Sequence, residues 1–167
     1  MKAPVVVVAG PTAGGKSALA LALAREFDGA VVNADSMQLY RELRVLTARP
    51  SDAATAEAPH RLYGVLGAAD PASAGRWRAL ALEAIAAERK HKRLPIVVGG
   101  TGLYLRALMH GLSPIPPVPD DIRQAARALH AKLGGEKFRA ELAKRDPAAA
   151  ERLAPGDTQR LIRAHEV

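Results

Sequence analysis

Residues Gly10 to Ser17 read Gly-Pro-Thr-Ala-Gly-Gly-Lys-Ser and follow directly on the apolar run Val5-Val6-Val7-Val8-Ala9. That spacing, between a strand and a helix, is a phosphate-binding loop. Its glycines let successive backbone N–H groups curl inward as an anion nest, and the helix behind it adds the positive end of its dipole. Lys16 supplies a mobile cation and Ser17 a hydroxyl suited to Mg²⁺. The expected ligand is a polyphosphate, nucleotide or diphosphate held over Gly10, Pro11, Thr12, Ala13, Gly14, Gly15, Lys16 and Ser17. The loop names the anion without naming the reaction.

Two further residues stand where ligands of an open α/β sheet bind, beyond the carboxyl ends of strands. Asp35 ends a short strand, Ala30 to Ala34. It can hold Mg²⁺ through water, act as a general base, or cap the next helix, and capping does not exclude the other roles. Thr101 lies between glycines after the strand Pro95 to Val98. Its hydroxyl can meet a phosphate or a base, or satisfy its own turn. Arg49, His60 and Arg61 are expected as solvated surface residues, and Trp77 and Leu80 as core. The run Glu88 to Arg93 is expected as a solvated helix end. The chain has no cysteine, and its 5 histidines show no metal-ligand spacing. There is no G-x-S-x-G nucleophile elbow.

Strand, helix, strand in this order predicts an α/β fold of the P-loop NTPase-like type: a parallel sheet with helices on both faces, plus a helical insertion segment. The strands expected are Val5–Ala9, Ala30–Ala34, Leu62–Leu66 and Pro95–Val98. The helices expected are Lys16 to Phe27, Ser73 to His91 with Ser73 as N-cap, and Leu103 to His110. Residues 41–59 are expected to be irregular because Pro50 and Pro59 interrupt them. A proline-rich, semi-rigid connector covers 112–119. Helices are expected over 120–133, 136–145, 147–153 and 157–167, the last capped by Asp157. The predicted division is 1–113 for the α/β core and 114–167 for the helical region. The helical pattern runs to Val167 without a stop signal, as expected of a chain that has been cut.

Composition limits the partners. In 167 residues, 49% are hydrophobic and 4% aromatic, so an aliphatic globular core is expected. The formal net charge of +7 and pI ≈ 10.1 suit a polyanionic partner such as nucleic acid, and equally ordinary solubility. No membrane-length apolar run is present, and a cleaved leader would remove the phosphate loop. A cytoplasmic monomer is expected.

Several strings together resemble one family: Gly10 to Ser17, Asn33-Ala-Asp-Ser-Met-Gln-Leu-Tyr-Arg41, Ala58-Pro-His-Arg-Leu62, Ser73-Ala-Gly75, Pro95 through Tyr104, and Asp157-Thr-Gln-Arg-Leu-Ile-Arg163. In this order they are similar to the bacterial tRNA dimethylallyltransferases, the tRNA isopentenyl transferase family. The resemblance implies transfer of a dimethylallyl group from its diphosphate to N6 of the adenosine 3′ of the anticodon, in tRNAs reading codons that begin with U. It implies Asp35, Lys16 and Thr101 as catalytic residues, with Asp35 as base. It implies that Gly10 to Ser17 hold dimethylallyl diphosphate with Mg²⁺ at Ser17. Contacts to the tRNA anticodon stem-loop would come from Asp35, Ser36, Met37, Gln38, Thr101, Arg123, Gln159, Arg160, Leu161, Ile162 and Arg163. Gly14 stands where the family usually has serine, and His165 where it usually has leucine. The phosphate loop alone serves a small-molecule P-loop kinase equally well, which the proline connector and helical arm fit less well. A prenyl transferase to free adenine nucleotides and a non-catalytic RNA-binding role also stay open at this point.

Overall fold

Short runs of valine and isoleucine, stiff at χ1, set the strands. The computed structural model describes residues 4–113, 115 and 118–167. Pro114, Pro116 and Pro117 of the expected connector, and Met1 to Ala3, lie outside the described residues. The chain divides into two units, 1–112 and 113–167.

In the first unit the order is β1 (Val6–Ala9), α1 (Lys16–Glu26), β2 (Gly29–Asn33), α2 (Asp52–Glu57), β3 (His60–Arg61), α3 (Ala74–Lys90), β4 (Leu94–Gly99) and α4 (Gly102–His110). The sheet has 4 strands in the order β1-β4-β2-β3, all pairs parallel. Alternation along the strands separates two cores. Val31, Ile96 and Val98 pack with Ala20 and Ala24 of α1 on one face. Val32 and Val97 pack with Trp77, Ala81 and Ile85 of α3 and with Tyr104 and Leu105 of α4 on the other. The expected sandwich of helices on both faces is therefore present. β2 and β4 are buried on both sides, which is why they read as continuous apolar runs.

β1 departs from that expectation. It is an edge strand with β4 as its hydrogen-bonded neighbour among the described residues. Val8 is buried, whereas Val7 is 38% exposed and Ala9 is exposed. The expected third strand also shifts, to His60–Arg61, because Leu62 (φ 64°) and Gly64 (φ 59°) take left-handed backbone that ends the extended run. Residues 41–59 are not wholly irregular. Ser51 accepts from the Ala54 N–H at 3.2 Å and starts the short helix α2. Ser73 caps α3 as expected, accepting from Arg76 N–H at 3.1 Å.

The expected solvated end of α3 holds a buried anion instead. Glu88 is 1% exposed, and its carboxylate accepts from Arg61 Nε at 2.7 Å and from Arg93 Nη1 at 3.1 Å. Its cost of burial is offset by these two guanidinium bonds, which hold the carboxyl below its ordinary value. Glu88 thus ties α3 to β3 and to the turn that enters β4. Arg61 is a structural ion-pair partner rather than a free surface cation. Arg49, also expected at the surface, donates through Nη1 to the Tyr40 and Arg41 carbonyls at 3.4 Å each.

The second unit contains α5 (Asp120–Ala143), α6 (Pro147–Arg152) and α7 (Thr158–Glu166). Gly134, at φ 73° and ψ 167°, breaks α5 where the sequence pattern separates 120–133 from 136–145. Gly135 follows because a side chain there would run into the Pro155 carbonyl. Asp146 and Asp157 cap α6 and α7 by accepting from Ala149 N–H at 2.9 Å and Arg160 N–H at 3.3 Å. Phe138, Leu142, Ala149, Ala150 and Leu161 form the core. Among the described residues, no helix is long and apolar enough to cross a membrane.

Candidate active site

β1 delivers the chain into the phosphate loop, and the loop's backbone carries the chemistry. Ala13 (φ 62°) and Gly15 (φ 71°) both adopt left-handed backbone, the alternation that turns N–H groups toward one concavity. Alanine in that region is strained by about 1 kcal/mol, a strain found at ligand clamps. Gly14 N–H donates to the Pro11 carbonyl at 3.2 Å and closes the turn. Lys16 Nζ donates to the same carbonyl at 2.6 Å. Lys16 and Ser17 open α1, so its positive end faces the loop. The Ser17 side chain makes no hydrogen bond among the described residues.

The loop walls a cavity of about 280 Å³. Thr12 to Ala18 supply one side, and Asp35, Gln38, Thr47, Ala48, Tyr63, Val98 and Gly99 the other. Gly10, Pro11, Ser36, Met37 and Thr101 do not line it. Asp35 is fixed at the end of β2 by its neighbours. Its N–H donates to Asn33 Oδ1 at 2.8 Å, and its Oδ1 accepts from Met37 N–H at 2.9 Å. The side chain thus closes a turn two residues long rather than capping the short 3-10 helix Met37–Leu39, whose N-cap is Ser36, and this bond occupies one carboxylate oxygen. Oδ2 makes no hydrogen bond among the described residues and is available for a proton or an oxygen-bound cation.

Asn33, 1% exposed, is the hub of this end of the sheet. Its side-chain amide donates to the Asp35 carbonyl at 2.9 Å and the Leu62 carbonyl at 3.0 Å. Its own carbonyl accepts from Trp77 Nε1 at 2.8 Å, beneath the stacked Trp77 and Tyr104 rings. Thr101 holds the neighbouring loop. Its Oγ1 accepts from Ser36 N–H at 3.0 Å and donates to Ser36 Oγ at 3.5 Å. Its hydroxyl is therefore spent across the loops rather than on its own turn, and it positions the segment that carries Asp35. Gly99 allows the closest approach here, since a side chain would collide with the Ala34 backbone.

Thr47, Ala48 and Tyr63 line the cavity and were not singled out by the sequence. Thr47 accepts from Gln38 Nε2 through its carbonyl at 2.9 Å. Tyr63 is one residue beyond the Ala58–Leu62 string, which was the available signal. Burial, and then the Asp35 carboxylate, raise its phenol far above the ordinary value, so it is a neutral O–H. Among the described residues no cluster of three or more His, Cys, Asp or Glu side chains could hold a metal. The Ser17 hydroxyl on this anion cavity fits Mg²⁺, which takes one or two protein oxygens and completes its shell with phosphate and water.

In the helical unit, Arg123 of α5 meets Gln159, Ile162 and Arg163 of α7 around a cavity of about 300 Å³, together with Arg127 and Glu166. Arg123 pairs with Asp120 and Arg160 with Asp157, each at 3.3 Å, and Arg163 with Glu166 at 2.7 Å. Leu161 is a correction. It is fully buried against Phe138 and Leu142, and its side chain serves the core rather than a contact with RNA.

A family model for IPP transferase matches residues 38–167. A tRNA dimethylallyltransferase from Rhodospirillum centenum is 61% identical over 164 residues, 98% of this chain and 52% of that protein. One from Rhodospirillum rubrum is 58% identical, over 99% of this chain and 51% of that protein. The full-length tRNA isopentenylpyrophosphate transferase of Bacillus halodurans superposes with a TM-score of 0.66 at 33% identity, over 99% of this chain and 55% of that one. A eukaryotic dimethylallyltransferase acting on tRNA superposes with a TM-score of 0.82 at 28% identity, over 97% of this chain and 40% of that one. The chain spans about half the length of the curated relatives it matches. The family model covers more than half of the chain, and the chain belongs to the IPP transferase family.

Proposed function

We propose that this chain binds dimethylallyl diphosphate in the phosphate-loop cavity and transfers the prenyl group to N6 of the adenosine 3′ of a tRNA anticodon. The observation that carries the proposal is one cavity shared by the loop, Lys16 and Asp35. The names of the relatives, tRNA dimethylallyltransferases, favour this acceptor over a small molecule.

The allylic C–O bond breaks and its electron pair leaves on the diphosphate. Loop N–H groups and Lys16 lie where that charge grows. Ser17 would hold Mg²⁺, which supplies Lewis-acid neutralisation of the diphosphate when bound. The N6 lone pair forms the new C–N bond, and the N6 proton passes to Asp35 Oδ2. Asn33 and Met37 fix the carboxylate for that step, and Thr101 holds Ser36 beside it. The adenine must leave its stack to reach Asp35, which a single-stranded loop permits most cheaply. Arg123, Arg127, Gln159 and Arg163 are the surface groups of the helical unit suited to the stem-loop backbone.

Radiolabelled dimethylallyl diphosphate, Mg²⁺ and an anticodon stem-loop carrying the target adenosine test the proposal. Label is expected on the RNA. Asp35→Asn should slow transfer by about 10²–10⁴-fold while leaving inorganic diphosphate binding intact. No transfer with the wild-type chain, or unchanged transfer in Asp35→Asn, refutes the assignment.

A further inference from the structure

We infer that Tyr63 limits the length of the prenyl chain the donor cavity admits, by standing as the wall between that cavity and a second, apolar one. The inference rests on the donor reading above. The second cavity measures about 180 Å³ and lies between α1, β2, α2 and β3. Leu21, Val31, Pro50 and Ala54 give it a mainly apolar lining, which the His60 ring completes. Ser17, Ala18, Ala48 and Tyr63 line both cavities, so these side chains form the partition. Three of them are small. Only the Tyr63 ring is large enough for its truncation to join the two spaces.

The ring is held on a braced loop. On one side of Tyr63 the Leu62 carbonyl accepts from Asn33 Nδ2 at 3.0 Å, and on the other Gly64 N–H donates to the Gln38 carbonyl at 2.9 Å. The Arg49 guanidinium packs directly under Gly64. The His60 ring lies 5.5 Å from the Tyr63 ring and is anchored through Nδ1 to the Ala58 carbonyl at 2.8 Å. A wall so braced does not yield to a longer chain by moving its backbone. A diphosphate seated on the loop shares this cavity with the partition, and the space behind it is lined by small and apolar side chains together with the His60 ring. The ligand class that would use it is a prenyl diphosphate at least one isoprene unit longer than dimethylallyl.

The test is titration calorimetry with Mg²⁺ and the S-thiolodiphosphates of dimethylallyl and geranyl alcohols, which do not ionise readily. The wild-type chain should prefer the dimethylallyl compound by about tenfold or more. Tyr63→Ala should tighten geranyl binding by about tenfold and change dimethylallyl binding by less than about threefold. Tyr63→Leu, which keeps more of the wall and of the fold, should shift the same way by a smaller factor. Tyr63→Phe should behave as wild type, because the ring and not the hydroxyl forms the wall. Ala54→Leu, which fills only the second cavity, should cancel the gain when added to Tyr63→Ala. Geranyl affinity unmoved in both Tyr63→Ala and Tyr63→Leu, or a gain in Tyr63→Phe equal to that in Tyr63→Ala, overturns the inference. Inorganic diphosphate separates the two levels. Wild-type binding that Lys16→Ala weakens upholds the donor site, so failure of the chain-length series then falls on Tyr63 alone. Absence of diphosphate binding to wild type overturns both.

Discussion

Replacing Glu88 with glutamine tests whether the buried carboxylate is a structural rivet. The variant keeps the side-chain shape, removes the charge, and turns one acceptor oxygen into an N–H₂ that faces a guanidinium. Breaking a fully buried ion pair costs about 3–5 kcal/mol. Here the carboxylate is 1% exposed, but the Arg61 and Arg93 side chains are 44% and 31% exposed, so water recovers part of their solvation. The expected loss is therefore about 2–3 kcal/mol, from two weakened charge-assisted bonds and one donor facing a donor. For a unit of this size that lowers the melting temperature by about 8–15 °C. Trp77 is the single tryptophan, lies buried in the α3 core and donates to Asn33, so its fluorescence reports this unit and not the helical one. Glu83→Gln on the exposed side of the same helix is the control and should change stability by less than about 0.5 kcal/mol. A Glu88→Gln loss no larger than that of the control refutes the rivet. The carboxyl is held below its ordinary value in the fold, so its contribution is present above the unfolded carboxyl value of about 4.3. It is lost as pH falls through the lower folded value. The gap between wild type and Glu88→Gln should accordingly close at strongly acidic pH.

Gly99→Ala should cost about 2–3 kcal/mol in the same fluorescence melt, because its new methyl meets rigid backbone of Ala34 rather than a side chain that can move. A shift below about 0.5 kcal/mol would show that β4 slides to accommodate it. His165 packs against Phe138 with ring centroids 5.0 Å apart, and its Nε2 is buried without a hydrogen-bond partner among the described residues. Burial first, and then the Arg145 charge, lower its basicity against the opposing pull of Glu141. The folded helical unit therefore resists protonation, and its stability should fall as pH drops below the unfolded value of about 6.5. His165→Leu should remove that fall, read as the difference between helical circular-dichroism melts at pH about 7.5 and about 5.5. An equal acid loss in the variant would assign the sensitivity to another group.

What the sequence disclosed were features whose physics is local. The phosphate loop is a run of consecutive residues, the Asp35 and Ser73 side chains bond backbone within three residues of themselves, and the α1 and α3 patterns follow helical spacing. Features decided by distant partners were illegible. Leu62 leaves the extended region where the Asn33 amide holds its carbonyl from 29 residues away. Glu88 sits in a charged string that reads as solvent-facing, and only the fold brings Arg61 to it across 27 residues. Edge and centre strands share the same apolar letters, so the half-exposure of β1 follows from strand order alone. Leu161 lies within a string for which the resemblance implies RNA contact, yet its side chain is at the core-facing position of α7.

The contact between Lys16 and the Pro11 carbonyl bears on selectivity among anions. The ammonium is hydrogen-bonded at 2.6 Å to a neutral oxygen that also receives the Gly14 N–H. On the proposed donor reading, a ligand would have to win the lysine from a dipole, and its gain would be the difference between an ionic and a dipolar bond. That difference grows with the charge density of the arriving oxygen. Weakly charged anions leave the lysine where it is, and multiply charged phosphate chains draw it off. On that donor reading, the loop would discriminate by charge before any part of the ligand's carbon skeleton is read.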